Sequence, residues 1–184
     1  MIITISGTPG SGKSSIAKAV AKRMNYRFYS AGDVRGQYAL ERGMTIDELN
    51  KLAEKDPASD LLVDEYMRQM SAKEDNIVVD ARLGFYFIPN SIKVFIDADA
   101  DVRANRILKS SRKDEHYNNF NEAKKAIQRR IESDIRRYRH IYNINPYETR
   151  HYDLMVDSTE KSIESAAGEI YRFVMFRIHN SHKK

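Results

Sequence analysis

The 184-residue chain contains no cysteine. That absence excludes disulfide bridges, thiolate nucleophiles and cysteine-bound zinc. Its five histidines are scattered and fall into no metal-ligand spacing. No apolar run approaches the roughly 20 residues that a membrane-spanning helix needs. The sequence also lacks a long linker, an internal repeat and any low-complexity tract. The apolar start runs straight into a glycine-rich stretch without a basic head or a cleavage site, so it does not read as a signal peptide. What remains is a globular balance, 41% apolar and 31% charged, in a chain long enough for one domain with a real core. The expectation is a cytoplasmic protein with no membrane partner.

Residues 7 to 14 read Gly-Thr-Pro-Gly-Ser-Gly-Lys-Ser, directly after the apolar run Ile2 to Ile5. This is a complete phosphate-binding loop. Glycines 7, 10 and 12 remove the Cβ atoms that would keep backbone N–H groups from wrapping a polyphosphate. Thr8, Pro9, Ser11 and Ser15 complete the cradle, Lys13 reaches the β and γ oxygens, and the Ser14 hydroxyl joins a Mg²⁺ shell. The helix expected from Ser14 to Met24, with Ile16, Val20 and Met24 on its inner face, points its positive end at the same charge.

The first β-rich run is Ile2 to Ser6, and four further ones follow, Tyr26 to Ser30, Ile77 to Asp80, Ile92 to Asp97 and Leu154 to Asp157. Their alternation with helical stretches predicts an α/β fold, a parallel sheet of about five strands flanked by helices. Ligands of such sheets lie beyond the carboxyl ends of the strands, which singles out Ser30, Asp80 and Asp97. Two polar helical stretches stand outside this rhythm. Residues 31–75 break at Gly43, where Thr45 and Glu48 form a capping box, and residues 107–142 are rich in arginine. On a phosphate-loop core the two would face each other across the strand ends. A final helix is predicted over Ile163 to Ile178, with Ile163, Ala166, Ile170, Phe173, Val174 and Arg177 marking its buried and edge positions and a solvated end beyond it.

Lys and Arg outnumber Asp and Glu by five in the whole chain, but by seven between Arg103 and Arg139 alone. The rest is slightly acidic, so the pattern suits one concentrated anion site better than a basic coat for nucleic acid. Lys109, Lys113, Lys124, Lys125 and Arg139 read as solvating residues. Arg130, Asp134 and Arg137 share one helical face, two guanidinium groups flanking a carboxylate. Arg82 follows the third strand and Arg35 the second, both within reach of a phosphate beyond the sheet, and the planar fork of arginine suits that ligand. Asp80 is the carboxylate placed for magnesium, with capping of the next turn as the alternative. Arg103 and Arg106 are candidates for donor phosphates or base. Asp60 and Asp64, four residues apart, read as a solvated face, with an acceptor base's amino group as the other reading. Phe85-Tyr86-Phe87 reads as packing.

The loop, Ser30-Ala31-Gly32-Asp33, Glu41-Arg42-Gly43-Met44, Val79-Asp80-Ala81-Arg82-Leu83, Arg130…Asp134…Arg137-Tyr138 and Tyr152-Asp153-Leu154 together resemble the cytidylate kinases, above all their short archaeal-type branch, over most of residues 1–158. The resemblance implies a monomer that uses Mg²⁺ and transfers the γ-phosphoryl of ATP to CMP or dCMP. It implies a core of residues 1–30, 76–106 and 143–184, a nucleoside-monophosphate-binding insertion over 31–75 and a lid over 107–142. Lys13 would bridge donor phosphates, Arg35 and Arg82 hold the acceptor phosphate, and Ser30, Gly32 and Asp33 shape the acceptor pocket. Arg130 and Arg137 would close with the lid, oriented by Asp134. The chain departs from the archaeal pattern at Gly36, where an arginine is common, and at Lys13, where the lysine is often lacking. UMP, AMP, a small metabolite as acceptor and an RNA-associated switch stay open as alternatives.

Overall fold

A computed structural model of the protein describes residues 1–110 and 117–181. Five parallel strands form its centre: β1 (Ile2–Gly7), β2 (Arg27–Ser30), β3 (Ile77–Asp80), β4 (Ile92–Asp97) and β5 (Leu154–Asp157), in the order β2-β3-β1-β4-β5. The strand that feeds the phosphate loop thus lies in the middle. Its register sets Ile5 opposite both Asp80 and Val94, and Gly7 opposite Ile96, so β1 and β4 end within a residue of each other and β3 ends two residues short of β1, with Asp80 beside the loop's root. Three of the predicted strands match to the residue, and the other two differ by one position at an end.

Helices α1 (Lys13–Met24) and, at the other end of the chain, α8 (Ile163–Ser181) cover one face. Ile16 and Val20 of α1 and Ala166, Ile170 and Val174 of α8 meet Ile3, Ile5, Val94 and Ile96 from the strands. Full burial of each Val or Ile is worth about 1.5–3 kcal/mol, so this layer fixes the position from which the loop departs. Ile163 is an exception among the expected core positions. It sits at the start of α8, 48% exposed, because the helix has not yet reached the sheet. That helix runs three residues past the predicted end, and residues 182–184 of the expected solvated tail lie outside the described residues.

Between β2 and β3 come three helices, α2 (Ala31–Leu40), α3 (Ile46–Ala53) and α4 (Ala58–Lys73). Thr45 and Glu48 form the predicted capping box at the start of α3. The chain turns into it through Gly43, whose φ of 64° is left-handed and so costs glycine little. Met67 and Met70 of α4 pack on Ile77 and Val79, closing the sheet's second face. After β3 a single turn, α5 (Gly84–Phe87), buries Phe85, whose ring stacks on His151 at 4.6 Å, as the packing reading expected.

Helix α6 (Ala100–Leu108) follows β4, and the 23-residue α7 (Phe120–Tyr142) returns the chain towards β5. Ala123 and Ile127 anchor the first turns of α7 on Ala104 and Ile107. Its second half reaches the β2–β3 insertion, where Arg136 meets Glu54 at 2.8 Å. The two insertions do face each other across the strand ends. Lys109, Lys124, Lys125 and Arg139 are exposed as expected, and Lys113 lies outside the described residues. Among the described residues no helix is long and apolar enough to cross a membrane.

Candidate active site

Two carbonyl-rich braces hold the loop between β1 and α1. On one side Thr8 donates its hydroxyl to Asp97 at 2.5 Å and its N–H to the Ile96 carbonyl at 3.2 Å. On the other, Ser158 donates to the Ser11 carbonyl at 2.7 Å. A Cβ on Gly7 would lie 2.2 Å from the Ile96 oxygen, so only glycine lets β1 and β4 stay this close. Gly12 caps α1 with a left-handed φ of 80°, no side chain bonds to that helix end, and the first turn holds no acidic residue. The first-turn N–H groups and the positive end of the helix therefore face the loop's own concavity.

Lys13 and Ser14 enter that concavity from the first turn and both meet Asp80, which the β1–β3 register brings alongside. The ammonium lies 2.5 Å from one carboxylate oxygen and the hydroxyl donates to the other. Asp80 is fully buried. Burial pushes the Lys13 ammonium below its ordinary pKa, Asp80 works against that push, and nearby Arg82 and Arg130 add to it. Above the loop opens a cavity of about 400 Å³, lined also by Arg82, Arg106, Arg130, Ser158 and Lys161.

A second cavity of about 60 Å³ lies between the β2–β3 insertion, the end of β3 and α7. Its wall is an alternating chain of charges. Arg35 bonds to Asp60 and, at 3.2 Å, to Asn50; Arg137 joins Asp60 to Asp134; Asp134 takes the Nε of Arg82 at 2.9 Å; Arg82 ends on the Gly7 carbonyl. Tyr147 donates to Asp134 at 2.7 Å and lies beneath the Arg82 guanidinium. Burial works against the charge of Asp134, but Arg82, Arg137 and Arg130 together hold its carboxyl below the usual range. Five ionised side chains are thus satisfied in one buried run, the condition under which buried charge is tolerable.

The structure sorts the sequence candidates. Lys13, Arg82 and Arg130 line both cavities; Gly32, Arg35, Asp80, Asp134 and Arg137 line the second, and residues 8 to 15 with Arg106 line the first. Ser30 and Asp33 line neither. The Ser30 hydroxyl caps α2 by accepting the N–H of Asp33 at 3.0 Å, and Asp33 itself is an exposed residue of that helix's first turn. Arg103 also stands outside, because its Nε is tied back to the Ala98 carbonyl at 2.9 Å. Asp60 and Asp64 are not a solvated face but 2% and 3% exposed. Their partners, Arg137 and Tyr142, come from α7, nearly 80 positions on. Gly36 is buried within α2, and the neighbouring Arg35 is the guanidinium that faces the cavity.

This frame of loop, strand-end arginines and facing insertions can be set beside known proteins. Residues 2–160 match the cytidylate kinase-like family. The chain belongs to that family. A cytidylate kinase of Archaeoglobus fulgidus is 38% identical over 175 residues, 95% of this chain and 94% of the relative. One of Haloarcula marismortui is 38% identical over 160 residues, 86% and 81% of the two chains. Shikimate kinase from Bacteroides thetaiotaomicron superimposes with a TM-score of 0.63 over 95% of this chain and 98% of its own, at 18% identity, a likeness of fold alone.

For a cytidylate kinase-like protein the sequence reading left four site residues unmarked. Ser158 and Lys161 line the first cavity just past the end of β5, a strand end that was not among the three singled out from the sequence. Tyr147 lies in an irregular stretch with no periodic signal. Asn50 is a neutral residue in an amphipathic helix, and only its burial at 5% exposure distinguishes it.

Proposed function

We propose that the protein transfers the γ-phosphoryl group of ATP to CMP or dCMP, giving ADP and CDP or dCDP. The observation that carries this is the sharing of Lys13, Arg82 and Arg130 by the two cavities, which puts one set of cations between two sites for phosphate. Phosphoryl transfer asks little covalent help of a protein; it needs two anions in line and the spreading charge neutralised.

On this reading residues 7–15 hold the donor phosphates and Arg106, pinned to the Ser158 carbonyl at 2.8 Å, borders the donor's base and sugar. Arg35 and Arg82 take the acceptor phosphate. An acceptor phosphate oxygen attacks the γ phosphorus, the bond from that phosphorus to the β–γ bridging oxygen breaks, and ADP leaves with the electron pair. The attacking oxygen is already ionised near neutral pH, so no general base is required. Lys13 and Arg130 neutralise the moving group, Arg137 closes behind it, and Asp134 positions Arg82 and Arg137. Ser14 and Asp80, both hard oxygen donors, fit the magnesium ion of Mg·ATP, and bound there it neutralises phosphate charge.

A nucleotide pocket measures about 300 Å³ or more, so the 60 Å³ acceptor cavity has to widen. Residues 31–75 then act as the acceptor-binding insertion and 107–142 as the lid, parting at the Arg137–Asp60 contact and closing again to exclude water.

ADP production from Mg·ATP, with CMP, dCMP, UMP, AMP and GMP supplied one at a time, tests the assignment. Turnover confined to CMP and dCMP is expected. Stimulation by none of the five sinks it.

A further inference from the structure

Asn50 carries a donor with no partner. Its side chain is buried on α3 and lines the acceptor cavity, and its Nδ2 has no hydrogen-bond partner. Which end of the amide is which follows from chemistry: Arg35 has only donors, so the atom facing it at 3.2 Å must be Oδ1. The NH₂ end is left in the cavity, and a buried donor without an acceptor costs about 1–3 kcal/mol until something supplies one. One helix away Asp64 lines the same cavity, with one carboxylate oxygen accepting from the Tyr142 hydroxyl.

We propose that Asn50 and Asp64 together read the edge of the acceptor base, Asn50 donating to a ring nitrogen and Asp64 accepting from the amino group beside it. This rests on the cytidylate kinase reading and deepens it. Cytosine presents such an edge, N3 as acceptor next to the 4-amino donor. Uracil presents the reverse, an N3–H donor next to a carbonyl, which would leave Asn50 facing a donor and Asp64 facing a lone pair. Adenine shares the amino-bearing pattern, so the pair separates CMP and AMP from UMP and GMP, and the narrow cavity between Ala31, Val63 and Leu83 then favours the smaller ring. Arg35, bonded to Asn50, links the base reader to the acceptor phosphate.

Asp64 adds a pH signature. Burial pushes its carboxyl up to about 6; the Tyr142 hydroxyl lowers it, Asp60 on the same helix raises it, and Arg68 and Arg35 lower it. Below that value Asp64 is protonated and loses its pull on an amino group. The KM for CMP is therefore expected to rise as pH falls through 6. The phosphate's own second ionisation, also near 6, contributes to the same profile. Asp64→Asn should strip out the carboxylate's share and keep the phosphate's; an unchanged profile in that variant would remove Asp64 from the reader.

The deciding experiment compares kcat/KM for CMP, UMP and 3-deazacytidine monophosphate, which keeps the amino group but has C–H in place of N3, in the wild-type chain, Asn50→Ala and Asn50→Asp. Wild type is expected to lose about tenfold or more on the deaza analogue, Asn50→Ala to treat it and CMP alike, and Asn50→Asp to narrow the CMP-to-UMP ratio by a similar factor. Equal use of CMP and the deaza analogue by wild type overturns the proposal, and that arm needs no variant to fold. If wild type phosphorylates no monophosphate at all, the kinase reading falls and this inference falls with it.

Discussion

Arg137→Ala should unfold earlier than the wild-type chain by roughly 6–12 °C. The guanidinium is 1% exposed and joins Asp60 to Asp134, so its loss breaks the buried charge chain at its middle link. Removing one partner of a buried pair costs about 3–5 kcal/mol. The lower end applies here, because Arg35 still holds Asp60 and Arg82 still holds Asp134. At this chain length each kcal/mol moves the midpoint by about 2–4 °C. Arg137→Lys should recover little, since one point charge cannot span two carboxylates as a planar fork does. Thermal denaturation followed by circular dichroism reads both, and a shift of under about 2 °C would show that α7 is not clamped to the insertion as described.

Lys13→Ala is expected to cut kcat by about 10³-fold, the scale of removing one preorganised donor from a developing charge. Nothing else in the loop can reach the same oxygens with a full positive charge. The substitution also leaves the fully buried Asp80 with Ser14 alone of its two partners at the loop, so some stability goes with the activity. ADP production at saturating CMP, corrected for the folded fraction from the melt, separates the two effects. Residual turnover within tenfold of wild type would mean that Arg82 and Arg130 carry the donor charge without the lysine.

Local rules sufficed where the physics was local. Strand ends, the Thr45 capping box and the glycine loop each declare themselves within a few residues, because backbone geometry, a cap or a missing Cβ fixes them. The acceptor site does not. Two aspartates four apart on α4 have the pattern of a wet helix face, and what buries them is a guanidinium and a phenol from another helix. Ser30 illustrates the converse. It stands where a ligand group belongs, yet the cap of α2 uses its hydroxyl. Asn50 lacks charge and periodicity alike, and its meaning comes from a neighbour that can only donate.

Helix α7 spans about 35 Å at 1.5 Å per residue. Its apolar foothold is at one end, on α6, and its polar grip at the other, on the insertion. Arg130 sits within one residue of the midpoint of this rod. A tilt of 10° about either foot sweeps the opposite terminus by about 6 Å but carries Arg130 only half as far. A tilt on the α6 foothold therefore moves Tyr142, and with it the bond to Asp64, about twice as far as Arg130, the one cation of this helix that lines both cavities.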